Sequence, residues 1–399
     1  MEKFQWGVGI EDTFVPQSEP GRRRLDEYEL TQHDGQWRND LALCQELGVD
    51  FIRYGIPWYK VHPQPDRFRW EWVDEVMAWM QTKGLKPIID LVHYGTPLWM
   101  KDAFLHRDYP KYVSAYVGAF AQRYGDFVQM YTPLNEPFIH AEFCGRTGRW
   151  PPYDTGDDGF IRLMKQLARG AVETVRTLKA IQPNSVMVHV EATGLLVTKD
   201  HSMQPWIEHQ QALRFLYFDW ITGRVDSSHP LYEWLRVNGV SEADFDWFVT
   251  HAIEVDVMGL NYYPDLSVQE VSLQGEKVFT DGWGGTWALE QLLQSYYQRY
   301  QRPIMLTETS TNGSAAQRLH WLEQSTKSIR EMRKSIPIIG YTWWPLFDLI
   351  NWDYRESSDP VEKFVEPMGL WSLEKRGQVF QRTSTPAAEA YHRLIQSLG

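Results

Sequence analysis

Two kinds of hydrophobic pattern alternate along the chain from about residue 5 to residue 395. Short apolar runs rich in β-branched and aromatic residues are followed by longer stretches in which apolar positions return every third or fourth residue. One unit shows the rule. Phe51-Ile52-Arg53-Tyr54-Gly55 reads as a strand, and Val73, Val76, Met77 and Met80 then recur at i, i+3, i+4 and i+7, the spacing of one helical face. Gly84 stops that helix and Lys86-Pro87-Ile88-Ile89-Asp90-Leu91 opens the next strand. The same reading predicts strands at Gln5–Gly9, Phe127–Leu134, Ser185–Val190, Val257–Asn261, Ile304–Thr307 and Ile338–Trp343. Helical patterns lie near 34–47, 111–124, 160–181, 208–222, 287–300, 318–335 and 385–397.

Eight strands alternating with eight helices predict an α/β fold, a (β/α)₈ TIM barrel, with insertions in the βα loops accounting for length beyond the usual ~250 residues. One insertion reads as a hairpin between the sixth and seventh strands, with Leu266–Val271 and Lys277–Thr280 flanking Gln274-Gly275. No low-complexity tract or Ser/Gly-rich linker divides the chain, so a single domain over residues 1–399 is expected.

Composition narrows the partners. Forty Lys and Arg against fifty-two Asp and Glu give a net charge of −12, which repels phosphate backbones and anionic lipid surfaces, so neither nucleic acid nor membrane is an expected partner. No stretch approaches the roughly eighteen apolar residues of a membrane span, and Met1-Glu2-Lys3-Phe4-Gln5-Trp6 lacks the basic region, apolar core and cleavage site of a secretion signal. Cys44 and Cys144, a hundred residues apart, suggest neither a disulfide framework nor a zinc cluster, and a reducing cytoplasm is the expected setting. Nineteen Trp is an unusual number, and Trp150, Trp283 and Trp352 stand in Gly/Pro-rich or charged loops, where flat sugar faces are a suitable partner.

Barrel enzymes of this architecture carry their chemistry at the C-terminal ends of the strands. Taken in order, those ends offer Glu11 and Asp12, Arg53, His93, Asn135 and Glu136, Glu191, Asn261 and Tyr263, and Glu308, then Trp344 with Asn351 and Trp352 beyond it. Carboxyl groups for cleaving an acetal, with many hydroxyl-binding partners and aromatics on one rim, form the inventory of a glycosidase. A small-molecule carbohydrate or glycoside is the expected substrate, with no metal and no cofactor. A metal-dependent hydrolase would want His-x-His after the first strand, and Trp6–Asp12 contains no histidine.

Thr132-Pro133-Leu134-Asn135-Glu136-Pro137 resembles the Thr-Leu-Asn-Glu-Pro segment of family 1 glycoside hydrolases, the retaining β-glucosidase and β-galactosidase type. Leu306-Thr307-Glu308 resembles that family's Ile-Thr-Glu-Asn-Gly segment. Leu91-Val92-His93-Tyr94-Gly95-Thr96-Pro97, Gly259-Leu260-Asn261-Tyr262-Tyr263 and Gly340-Tyr341-Thr342-Trp343-Trp344 resemble three further family segments, and the likeness runs from Phe4 to about Ile395. The resemblance implies Glu136 as general acid/base and Glu308 as nucleophile. It gives sugar contacts to His93, Asn135, Trp344, Asn351, Trp352 and Glu11, and supporting roles to Arg53, Asn261 and Tyr263. Arg53 and the Tyr263 hydroxyl are then expected to keep Glu308 ionised at neutral pH.

The chain also departs from the family. Phe14 stands where a sugar-gripping Gln is expected and Asn351 where a Glu is expected, with Glu11, Asp12 or Glu191 as candidate substitutes. The expected function is a retaining β-glycosidase whose sugar preference differs from plain glucose. The alternatives are another barrel glycosidase family and a carbohydrate-binding pseudoenzyme.

Overall fold

The computed structural model describes residues 3–274 and 276–398, so Met1 and Glu2 of the N-terminal segment and Gly275 of the expected hairpin lie outside the described residues. Eight strands close into a barrel: β1 (Gln5–Gly9), β2 (Phe51–Gly55), β3 (Lys86–Asp90), β4 (Met130–Thr132), β5 (Val186–Ala192), β6 (Val257–Asn261), β7 (Ile304–Thr309) and β8 (Ile338–Trp343). Each pairs in parallel with its sequence neighbours, and β1 pairs with β8 from Gln5↔Gly340 to Val8↔Trp343 to shut the ring. One principal helix follows each strand: α1 (His33–Leu47), α2 (Glu71–Lys83), α3 (Tyr109–Tyr124), α4 (Gly156–Ile181), α5 (Gln204–Ile221), α6 (Gly285–Tyr300), α7 (Ala315–Met332) and α8 (Pro386–Leu398). This is the (β/α)₈ barrel that the alternating pattern predicts.

Local chemistry sets several boundaries. Gly84 ends α2 with a left-handed φ of +70°, the conformation glycine adopts without a Cβ penalty. Ser314 caps α7 in a reciprocal box with Gln317, so the hydroxyl of the Asn312-Gly313-Ser314 sequence is spent on a helix start. β4 is shorter than its apolar run. Phe127 and Val128 still donate backward to the last turn of α3, and Pro133 has no N–H to extend the ladder. β5 runs further than expected, to Ala192, because its far end still pairs with β6 up to Ala192↔Asn261.

The interior of the barrel is filled by Phe51, Ile88, Val188, Val190, Val257 and Met305, a plug and not a channel. A much larger apolar layer lies between barrel and helices. The Tyr391 hydroxyl of α8 donates to the Gly7 carbonyl at 2.7 Å, fastening the last helix over the β1–β8 seam. Among the described residues no helix is long and apolar enough to cross a membrane.

Insertions build the upper rim. Val268–Gln274 and Glu276–Asp281 form the expected antiparallel hairpin with bounds shifted by up to three residues, and Leu195–Val197 joins it as a third, parallel strand. A second hairpin, Trp371–Arg376 with Val379–Ser384, follows β8 and was not legible in the hydrophobic pattern.

Two glycines carry the rim by being small. A Cβ on Gly9 would lie 1.9 Å from the Trp344 ring, and one on Gly55 would lie 2.1 Å from a carboxylate oxygen of the buried Asp12. Gly55→Ala is therefore expected to lower stability by about 1–3 kcal/mol, the cost of overpacking. Gly35→Ala, on the exposed face of α1 with open space around it, is expected to raise stability by roughly 0.5–1 kcal/mol. Denaturant midpoints of the two variants check this, and the same sign for both would overturn it.

Candidate active site

Arg53, the third residue of β2, is fully buried beneath the rim. A guanidinium there has to find acceptors on several sides. Its Nη1 donates to Glu308 Oε1 at 2.7 Å and to the Thr307 carbonyl at 3.1 Å, while Nη2 donates to Asp90 Oδ2 at 2.5 Å and Asn135 Oδ1 at 3.0 Å. The ends of β3, β4 and β7 are thereby tied to one cation. The Trp344 ring lies over the same guanidinium, 4.6 Å from its carbon.

Glu308 also accepts from the Tyr263 hydroxyl at 2.7 Å, so each oxygen of its carboxyl has a donor. The two stabilising partners expected from the sequence are in place, yet they do not dominate. Burial pushes the Glu308 carboxyl up to about 8; Arg53 pulls against that rise, the charge of Glu136 adds to it, and His93 and Tyr263 pull back. The balance lies above the ordinary carboxylate range because loss of water and a like charge outweigh the cations and the phenol.

Glu136 follows β4 in an unusual backbone state, with φ +43° and ψ +64°. Pro137 disfavours the helical region for the residue before it, and the left-handed alternative is rare for a residue with a side chain. Surrounding bonds hold it there. Asn261 Nδ2 donates to Glu136 Oε1 at 2.8 Å, the Tyr94 hydroxyl donates to Oε2, and Thr307 Oγ1 donates to Asn261 Oδ1 at 2.7 Å, fixing which way the amide faces. Tyr94 is itself left-handed at φ +66°. His140 joins the two strained residues: its Nε2 accepts from the Tyr94 N–H at 3.2 Å and its Nδ1 faces the Glu136 carbonyl at 3.1 Å. Burial pushes His140 down to about 3, so it is neutral with its proton on Nδ1.

The remaining expected residues fall as follows. His93 Nδ1 lies 2.6 Å from Asp12 Oδ1, its Nε2 lies 3.0 Å from Asn135 Nδ2, and its ring stacks at 5.8 Å and 9° on Trp344. Burial pushes Asp12 up to about 7. Trp344 Nε1 donates to Glu11 Oε2 at 2.8 Å, and Glu11 Oε1 accepts from the Thr13 hydroxyl at 2.6 Å. Trp352 stands beside Tyr94 with ring centres 5.5 Å apart. These residues come together on one rim.

Others do not present themselves to it. Glu191 turns both oxygens toward backbone N–H groups of Phe138 and Ala192, capping the short helix Pro137–Ala141. Phe14 packs edge-on against Tyr28 at 5.0 Å, inside the core. Asn351 donates to Glu366 Oε2 at 2.9 Å and accepts from the Asp353 N–H at 2.9 Å, so both ends of its amide are engaged. Asn312 holds the other oxygen of Glu366 at 2.7 Å. Of the three loop tryptophans, Trp150 is fully buried behind Trp352, against the expectation that it meets a sugar face, while Trp283 is 57% exposed.

Sequence reasoning missed Asp90, Tyr94, Glu366 and Arg214 as members of this region. Asp90 is the last residue of β3 and was within reach of the strand-end rule. Glu366 lies far beyond β8, where no periodic pattern locates it. Asp12, Asp90 and His93 bring potential metal-ligating atoms within 4.8 Å of one another. All three are already committed to charged partners: His93 Nδ1 lies 2.6 Å from Asp12 Oδ1 as an ion pair, and Asp90 is bonded to Arg53.

Beyond Glu136 a cavity of about 780 Å³ opens outward, bounded by Asn261, Tyr263 and Trp352 at its inner end and by the Leu195–Val197 and Val268–Asp281 strands further out. Glu308 is not in its wall, so the space lies on the Glu136 side of the carboxyl pair.

The chain is similar to known proteins along most of its length. Beta-glucosidase A of Thermotoga maritima is 21% identical over 374 residues, 80% of this chain and 78% of its own. An aryl-phospho-beta-D-glucosidase of Bacillus subtilis is 22% identical, covering 79% of this chain and 76% of its own. A chloroplastic galactolipid galactosyltransferase of Arabidopsis thaliana is 21% identical over 90% of this chain, which spans only 57% of that protein's length. In three dimensions the chain superposes on a beta-glucosidase from Thermotoga maritima in complex with noeuromycin with a TM-score of 0.86 and 18% identity, covering 100% of this chain and 99% of the other. The model of glycosyl hydrolase family 1 matches residues 7–396, and the chain therefore belongs to that family of glycoside hydrolases.

Proposed function

We propose that this protein is a retaining β-glycosidase that removes the non-reducing-end sugar of a β-glycoside by double displacement. The observation that carries the reading is the unequal holding of the two carboxyl groups. Glu308 is clamped by Arg53 and Tyr263, whereas Glu136 is set by Asn261 and Tyr94 at the mouth of the outward cavity. Glu308 attacks the anomeric carbon while Glu136 gives its proton to the departing glycosidic oxygen. Loss of the Glu308 charge in the covalent intermediate lets Glu136 take a proton from water, which releases the sugar with its configuration retained. His93, Asn135, Glu11 and Trp344 serve the sugar, Trp352 borders it, and Asn261 positions Glu136.

Glu308→Gln is expected to abolish turnover with the fold intact. Glu136→Gln should lose about 10²–10⁴-fold on poor leaving groups and far less on dinitrophenyl glycosides, which leave unprotonated. Azide should rescue each variant to glycosyl azides of opposite anomeric configuration. An inverted first product by NMR from the natural chain would sink the mechanism.

The acid limb of kcat/KM reports ionisation of the free nucleophile, and activity falls as pH drops through that value. Tyr263→Phe removes a donor that favours the carboxylate, so the limb should move to higher pH. Glu136→Gln removes a like charge, so the limb should move to lower pH with a dinitrophenyl glycoside. Displacement of both limbs in one direction would refute the coupling.

The sugar preference departs from plain glucose because Phe14 packs in the core and Asn351, a neutral amide with one N–H and its oxygen already bonded, offers no carboxylate to outer hydroxyls. Across aryl β-glycosides, the fucoside or xyloside should exceed the glucoside in kcat/KM by about tenfold, the worth of one missing charge-assisted bond. Asn351→Glu should not restore the glucoside, since it sets a second carboxylate beside Glu366. Efficient glucoside hydrolysis by the natural chain would overturn this.

A further inference from the structure

Arg214, on α5, is a cation without a counter-ion. Its guanidinium lies over the Phe138 ring, 3.8 Å from the centroid, beside the Gly194 backbone, and it lines the cavity outside Glu136. Among the described residues no side chain or carbonyl bonds to it, and every acid near it is already engaged. Glu142 is bonded by Arg146 at 2.9 Å, Glu191 by backbone N–H groups, and Glu136 by Asn261 and Tyr94. Burial lowers the guanidinium's proton affinity, yet an arginine stays charged, and this half-buried charge has room to take an anionic acceptor from the cavity. This in a chain of net charge −12 marks a local exception.

Part of the cavity wall is apolar and aromatic, while Glu142, Arg146 and Asp157 line another part and are ion-paired through Arg146. Trp206 and Phe279 meet edge to face at 5.9 Å on one wall, with Leu195 and Leu196 next to them and Trp352 at the inner end. The volume, about 780 Å³, falls in the range of pockets that enclose a drug-sized molecule. Since Glu136 protonates the departing oxygen, whatever leaves with that oxygen occupies this space.

We propose that the leaving-group side of the site takes an aromatic aglycone bearing an anionic substituent, its ring against the apolar wall and its anion on Arg214. The proposal rests on the glycosidase reading above and deepens it by naming the class of leaving group. Arginine in a partly dry pocket binds a carboxylate or a phosphate through paired N–H bonds, a geometry that a neutral amide cannot satisfy.

The test compares two aryl β-glycosides of one sugar, the carboxyphenyl compound and its carboxamide, which differ in charge at the same ring position. In the natural chain kcat/KM should favour the carboxylate by about tenfold or more. Arg214→Met keeps the stem over Phe138 and should bring the ratio to about one, and Arg214→Lys should retain part of the preference. Inhibition of the natural chain by free hydroxybenzoate, set against hydroxybenzamide, reads the same preference without any variant. Hydrolysis of both glycosides at a ratio of one, or a ratio unmoved in Arg214→Met, overturns the anionic aglycone and leaves the glycosidase standing. Turnover of neither glycoside removes the glycosidase reading, and the leaving-group proposal with it.

Discussion

The site depends on one buried cation. Arg53 has no access to water, so its charge is tolerable only if acceptors converge on it, and the residues that converge are Asp90, Asn135 and Glu308 from three different strands. Burial would raise Asp90 strongly, but Arg53 holds it below the ordinary carboxylate range. The same guanidinium fixes the Asn135 oxygen, which leaves that residue's amide nitrogen toward His93. Removing the cation would strand carboxyl groups in a dry interior, so the electrostatics of the rim and its geometry have a single origin.

Around that centre the two carboxyl groups differ by environment more than by chemistry. Glu308 extends from the end of β7, where pairing with both neighbouring strands shifts register beyond Leu306, and is pinned at both oxygens. Glu136 leaves its strand through a left-handed turn, and its neighbour Tyr94 is left-handed as well, with a neutral His140 bonded to both backbones. Such strain persists only where surrounding bonds over-determine it, and here it aims one carboxyl across the rim toward Asn261. The acid that the fold discards for this purpose, Glu191, caps the helix that starts immediately after Glu136. It therefore supports the turn without facing the rim.

The strand-end rule located most of the rim because barrel geometry projects the last side chain of every strand to one face, whatever the sequence between them. It therefore pointed to Asn261 and Glu308 at strand ends and to His93, Asn135 and Glu136 just beyond them, whereas Arg53 reaches the rim from the middle of β2. It failed where a side chain belongs to an insertion or points away. Glu366 reaches its place through Asn312 and Asn351, and Trp150 sits in a loop that folds back under Trp352. A loop's composition tells what it can bond to, but its path is set by contacts far along the chain.

What the sequence determined by itself is the alternation: short apolar runs between stretches of three-to-four-residue period, Gly84 at a helix end, and eight repeats that can bury their apolar faces only by closing on each other. Tertiary structure decided the direction of each polar group. Asn351 braces Glu366, Glu191 caps a helix, and Arg214 on an outer helix comes to face the space beside Glu136. It also set the proton affinity of Glu308, where burial outweighs the favourable partners that the sequence foretold. The reason is physical: periodicity is a property of neighbours in the chain, whereas desolvation and hydrogen-bond direction depend on groups that only the closed barrel brings together.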